Sequence, residues 1–342
     1  MRIKRLNLIA SLLSIIVVAG CSDTSKHHVD LTNSEVEVRI NRLEDDIFSV
    51  RNVEDYKNLD KLDSNFIHVF KRGIMGTETR DGFIPVEASA DGLIKFVTND
   101  EMMHLYKTAD STYPEIDWLE EELSEAFSYY HYHFPEKIIP SIYTVVTPFR
   151  SQVITTENAI GIGLDMYLGA QFGPYQSPGL EFPQYLINRF RKDYIVPNVM
   201  RGWLESEYTG SEKNRLLDEM IFQGKVLYAL DALLPDTPDS LKIGYAQGKI
   251  EWCYENEKQI WSHLIEADLL YSTEYRKYTG MISDGPFSKG MNVPQESPPK
   301  IGVWAGWQIV REYMDKHPET ELQELFDNIS PDELLRKSGY KP

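Results

Sequence analysis

Apolar positions first recur with a period of two at Val36, Val38 and Ile40, with Glu37 and Arg39 between them. That alternation predicts a half-buried strand, and Leu43, Ile47 and Phe48 just after it predict a turn into helix. Leu119, Leu123, Ala126, Phe127 and Tyr130 then fall at helical spacing, overlapping the acidic segment from Glu115 to Glu125. An apolar stripe opposite a charged face predicts an amphipathic helix. The period changes again in the middle of the chain. Ile138 to Val146 is rich in β-branched residues, and Ile160-Gly161-Ile162-Gly163-Leu164-Asp165 alternates large and small. Two or three strands are expected between Lys137 and Leu168, with Gly161 and Gly163 leaving one face open to close approach by another backbone or a helix.

Three prolines and three glycines make Gly169 to Pro183 a loop, and helices resume near Gln184. Leu216, Leu217, Met220, Ile221, Leu227 and Tyr228 mark the apolar stripe of one helix, which Leu233-Leu234-Pro235 ends. A further helix is expected from Gly248 to about Tyr271, then a second Pro-rich loop from Gly285 to Pro299. The helix from Ile301 to His317 buries Val303, Trp307, Val310 and Met314, and Gly302 and Gly306, one turn apart, permit tight helix contact. Pro331 opens a last short helix, proline being well suited to a first turn. The expectation is an α+β fold, mainly α-helical with a small sheet, and no internal repeat or interdomain linker stands out.

The first residues follow a different logic. Arg2, Lys4 and Arg5 precede an uncharged apolar run from Leu6 to Ala19, and Gly20 and Cys21 follow. That run is about 14 residues, short of the roughly 20 a membrane-crossing helix needs, so residues 1–20 read as a signal peptide. Val18-Ala19-Gly20-Cys21 has the lipobox form of bacterial lipoproteins, in which the peptidase cuts before an already diacylated cysteine. Cys21 is therefore the expected lipidation site and mature N-terminus, against the blander reading of a chance cysteine beside a plain cleavage site. Two or three acyl chains hold a protein far more firmly than one. Residues 21–34 are short and polar, with His27 and His28 among them, and read as a flexible tether. Residues 35–342 read as a single globular domain on the extracytoplasmic side, with the choice of inner or outer membrane open.

Losing Arg2, Lys4 and Arg5 takes the formal charge of −18 to −21. A body that acidic disfavours nucleic acid and anionic headgroups, both of which need basic surface. With Cys21 acylated, Cys253 stands alone and a disulfide-stapled fold is excluded. A hydrophobic share of 42% and an aromatic share of 12% can bury a large core.

Motifs for chemistry are sparse. None of the eight histidines is spaced as HExxH. His131 and His133 form the one pair in the folded region, and a catalytic zinc needs three protein ligands with an open position. No GxSxG, Walker loop, Rossmann glycine pattern or EF-hand loop is present. Cys253, between Trp252 and Tyr254, reads as a buried apolar thiol. No cofactor is expected.

Several blocks carry a likeness: the lipobox, Ile160 to Gly169, Tyr194 to Met200, Gln223 to Tyr228, Leu233-Leu234-Pro235 and Val303 to Val310. Through them the chain resembles, over nearly its whole length, the gliding-motility lipoprotein B (GldB) family of Bacteroidetes. The resemblance implies a part in cell-surface gliding, with a membrane bond through the N-terminal lipid and an envelope protein as partner. The layout is also similar to zincin-like peptidases, in which a strand precedes an HExxH helix, a second helix carries EGxA and a Gly-rich helix follows. Laid on that order, Pro197 and Arg201 fall at the two histidine positions, Asn198 at the glutamate and Gln223 at the third ligand. Proline and arginine cannot bind Zn²⁺, and amides lack the charge of carboxylates, so the resemblance implies a degenerate zincin-like domain without a metal site. It implies a non-catalytic scaffold that docks a polypeptide, with the sheet edge between Lys137 and Leu168 as the place for main-chain pairing. Tyr167, Phe172, Tyr175 and Trp203 are groove candidates, with a core role as their plainer reading. The rival expectations are a lipid-anchored metal hydrolase built on His131, His133 and a distant carboxylate, and a structural brace acting through helix faces.

Overall fold

The computed structural model describes residues 26–61, 64–76, 85–177, 179–180, 182–210, 213–290 and 293–342. Residues 1–20 and Cys21, the signal peptide and lipidation site expected from the sequence, lie outside the described residues.

Strand β1 (Ile40–Arg42) leads into helices α1 (Leu43–Ser49), α2 (Val53–Asn58), α3 (Ser64–Phe70), α4 (Val86–Val97), α5 (Asp100–Thr112) and α6 (Asp117–His133). Strands β2 (Ser141–Val145), β3 (Val153–Thr155) and β4 (Ala159–Gly163) follow. The rest is helical: α7 (Gln184–Ile187), α8 (Ile195–Glu207), α9 (Leu216–Leu233), α10 (Asp239–Ile243), α11 (Lys249–Glu255), α12 (Glu257–Glu266), α13 (Tyr275–Ile282), α14 (Ile301–Lys316), α15 (Leu322–Asp327) and α16 (Pro331–Ser338). The fold is thus α+β, mainly helical, with one small open sheet, and a cluster of buried hydrophobic residues extends from Val38 to Tyr340.

The sheet order is β1-β2-β4-β3, with β1, β2 and β4 parallel and β3 antiparallel at the edge. Parallel strands are covered on both faces, which is why β2 and β4 read as near-continuous apolar runs. In β4 the Ile/Gly alternation has a direct cause. A Cβ on Gly161 would stand 2.3 Å from Cζ of Phe66 on α3, and one on Gly163 would stand 2.2 Å from the Ser151 carbonyl oxygen. The open face expected at these glycines is filled by an aromatic ring and a loop carbonyl. Just after the end of β4, the buried Asp165 carboxylate accepts the backbone N–H of Thr147 at 2.8 Å and of Phe149 at 2.6 Å. This pins the 146–151 loop, where Phe149 holds a left-handed φ of 59°.

The alternation at Val36, Val38 and Ile40 is real, yet sheet pairing begins only at Ile40. Upstream, the outward N–H groups find α6: Val36 donates to Ser128 Oγ at 2.9 Å, Val38 to Ser124 Oγ at 2.9 Å and Ile40 to Glu120 Oε1 at 2.8 Å. Residues four apart share a helix face, so one face of α6 satisfies donors that an edge strand leaves open. Residues 26–34, assigned to a flexible tether for their polarity, also lie on the body. His28 reaches Tyr129 Oη at 3.0 Å and Asp236 at 3.1 Å, Lys26 pairs with Asp315, and Val29 and Leu31 pack on the core.

Helix α9 is buried on nearly every side and forms the centre of the helical part. It crosses α14 where Gly224 faces Gly306; a Cβ on Gly224 would come within 2.5 Å of the Gly306 carbonyl. The second small residue, Gly302, meets the Met281 carbonyl of α13 instead. The helix expected from Gly248 to Tyr271 is two helices, broken at Asn256, whose side-chain amide donates to the Trp252 carbonyl. The loop from Gly169 to Pro183 contains a 3-10 turn over Gly173–Gln176.

Candidate functional site

Helix α6 crosses the start of α8 and the end of α9, and the 234–238 turn into α10 closes the remaining side, leaving a cleft of about 510 Å³. Its interior is apolar because each wall turns its buried stripe inward: Ala126 from α6, Val196 and Pro197 from α8, Leu233 and Leu234 from the end of α9. Leu241 of α10 and the prolines 235 and 238 complete the far side.

The rim is charged. Lys192 places Nζ 3.7 Å from the centre of the Trp118 ring, a cation–π contact. Arg191 pairs with Asp193 at 2.7 Å, and Asp236 is held by His28. Glu122 and Glu125, three residues apart on α6, make no ion pair among the described residues. Exposed as it is, the Glu122 carboxyl is pushed up by desolvation from the neighbouring cleft wall; Lys192 opposes this through space and Glu125 adds to it.

Behind the 235–238 wall lies a second hollow of about 520 Å³, over a buried ionic network. Asp231 accepts Lys242 Nζ at 3.0 Å, Trp307 Nε1 at 2.9 Å, and Arg311 Nε and Nη2 at 2.8 Å each. Arg311 also grips Asp239 with two bonds of 2.8 and 2.9 Å, and its guanidinium lies 3.8 Å from the Trp307 ring centre. Burial pushes Asp239 up, but Arg311 outweighs it and holds that carboxyl below its ordinary value. A further ionic cluster ties the segment after α7 to the residue that precedes α14: Asp284 pairs with Arg189 at 3.2 Å and with Lys300 at 3.1 Å.

Of the four positions singled out from the sequence, only Pro197 lines the cleft. Asn198 donates its amide to Tyr167 Oη at 3.1 Å, and Arg201 donates to the Lys242 carbonyl of α10. Burial lowers the Arg201 guanidinium. Gln223 is half-buried on α9, beside Gly224. His131 and His133 stand two apart on the last turn of α6, and helical side chains at that spacing do not face each other. His133 lines a separate hollow with His27 and Tyr228, and burial, with His27 nearby, lowers it to about 4. Among the described residues, no group of three His, Cys, Asp or Glu side chains could hold a metal. Cys253 is buried, its thiol pushed up to about 12. Tyr167, Tyr175 and Trp203 are core residues, and Phe172 is half-buried against them.

These features define a mainly helical α+β protein with an apolar, acid-rimmed cleft beside the start of α8. Among the described residues, no helix is long and apolar enough to cross a membrane. The profile of the family described as gliding motility protein GldB matches residues 24–342, and the chain belongs to that family. Membership ties the protein to gliding motility. No curated protein and no solved structure matches it.

Proposed function

We propose that the chain is a lipid-anchored, non-catalytic envelope protein of the gliding apparatus that binds a polypeptide partner in the cleft between α6, α8 and the end of α9. In this reading residues 1–20 are a signal peptide, Cys21 carries the lipid on the extracytoplasmic side, and residues 35–342 form one domain on a degenerate zincin-like scaffold. The observation that carries it is the fate of the peptidase positions. Pro197 has no donor atom and serves as apolar wall, while Asn198 and Arg201 are committed to Tyr167 and the Lys242 carbonyl. A zinc ion does not fit such a set, because a guanidinium repels it and proline offers nothing. The order β4, α8, α9, α14, with β3 antiparallel at the sheet edge beside α8, supports the scaffold reading. The edge also supports polypeptide binding, since pairing with β4 through Gln152 and Thr156 turns the Val153 N–H and the main-chain groups of Thr155 outward, while the Val153 carbonyl takes the Ser151 hydroxyl.

The test is photo-crosslinking in cells from Leu241, inside the cleft, with exposed Lys258 of α12 as control. Capture of one envelope polypeptide from Leu241 alone is expected, together with purified protein that holds no stoichiometric zinc. Near-stoichiometric zinc, or equal capture from both positions, overturns the proposal.

A further inference from the structure

We infer that the cleft takes a partner segment in which a lysine or arginine stands next to a large apolar side chain, the cation held by Glu122 and Glu125 and the apolar group seated on Val196, Pro197 and Leu233. The inference rests on the polypeptide-binding reading above and adds the chemistry of the ligand. Three observations converge on it. The interior offers buried apolar surface from three helices, and about 510 Å³ is within the ~300–1,000 Å³ range of ligand pockets, enough for two or three side chains. The rim then decides which ones.

Its cations are already engaged, Lys192 on the Trp118 ring and Arg191 on Asp193, and Asp236 is engaged by His28. Glu122 and Glu125 remain, two like charges one helical turn apart at the mouth of an apolar hollow, a placement that is repulsive by itself. Lys192 is close enough to attract Glu122 through space, yet no ion pair forms. An incoming ammonium or guanidinium relieves that repulsion, and an acidic segment meets it head on. Charge complementarity of this kind sets specificity and encounter rate more than raw affinity. Both glutamates are exposed, so replacing them leaves the core untouched.

The experiment uses detergent-solubilised full-length protein on an array of immobilised ten-residue peptides of random sequence, followed by fluorescence anisotropy with one retained peptide. Retained peptides are expected to be enriched in Lys or Arg beside Leu, Ile, Met or Phe. The double variant Glu122→Lys, Glu125→Lys is expected to weaken binding at least tenfold with an unchanged thermal melt, and Val196→Trp to weaken it by filling the cleft. Enrichment of acidic or purely apolar peptides overturns the inference. So does binding that survives the charge reversal but is lost in Thr155→Pro at the sheet edge, an outcome that keeps polypeptide binding but moves it from the cleft to the edge. An array that retains nothing overturns both readings.

Discussion

Gly306 on α14 lies so close to Met220 on α9 that a Cβ built on it would stand 2.0 Å from the Met220 carbonyl oxygen. The obstacle is main chain in the middle of a buried helix, so relief requires the two helices to part. Gly306→Ala is expected to destabilise the fold by about 2–3 kcal/mol, the upper part of the range for overpacking. Gly302→Ala, whose Cβ would stand 3.0 Å from the Met281 carbonyl near the start of α14, is expected to cost less. Urea midpoints of the two variants, compared at equal m-value, check the order.

The bonds from Val36 and Val38 to the α6 serines predict a small, additive pair of effects. Ser124→Ala and Ser128→Ala each strip an acceptor from a part-buried N–H and are expected to cost about 1–2 kcal/mol. Glu120→Gln keeps an oxygen for the Ile40 N–H and is expected to stay near wild type. Hydrogen exchange at Val36 and Val38 gives a local readout, rising in the serine variants and unchanged in Glu120→Gln.

Asp231 neutralises two cations at once, and removing it leaves the buried Lys242 and the part-buried Arg311 with a single carboxylate, Asp239, between them. Asp231→Ala is expected to cost about 3–5 kcal/mol, the range for breaking a buried ion pair from one side. Arg311→Lys is expected to be destabilising as well, because an ammonium cannot make paired bonds to two carboxylates. Chemical denaturation of each variant gives the comparison.

Burial lowers His27 and His133 from 6.5 to about 4. Between those values the unfolded chain binds more protons than the native one, so this stability is present above pH 6.5 and is lost as pH falls toward 4. Asp165 runs the other way. Burial raises it to about 6 against the pull of its N–H donors, so its contribution declines as pH rises from 3.8 to 6. His133→Leu isolates the histidine effect: its urea midpoint is expected to change less than wild type between pH 6.5 and 4.5.

What was legible in the sequence was whatever repeated over several turns. Helices α6, α9 and α14 run for 17, 18 and 16 residues, long enough for a 3.6-residue period to declare itself; the sequence places the end of α9 and both ends of α14 to within a residue or two, and shows α6 through its apolar stripe alone. Helices α13 and α15, at 8 and 6 residues, complete too few turns to show a period. The break at Asn256 was hidden because α11 and α12 continue one apolar pattern across it, and only the amide's bond to Trp252 marks the spot. The cleft was illegible for a different reason. Trp118, Lys192, Val196, Leu233 and Leu241 come from separate segments and carry no motif, so only the packing of α6 on α8 and α9 brings them to one place. The HxH pair is a weak signal because its meaning depends on the element that bears it: alternate residues share a face in a strand and diverge on a helix.

Lys26, His28, Val29 and Leu31 bind the chain to the body only five residues beyond Cys21. Five residues span at most about 18 Å, however they are arranged. On the proposed anchoring, with a lipid on Cys21 seated in a bilayer, the protein is a short-necked fixture and not a float on a line. In that arrangement the side bearing Tyr129, Asp236 and Asp315, where residues 26–31 dock, is the side tethered nearest the membrane. The cleft, whose wall includes that same Asp236, then opens near the bilayer surface, and the proposed anchoring makes distance from the membrane part of what the protein selects for.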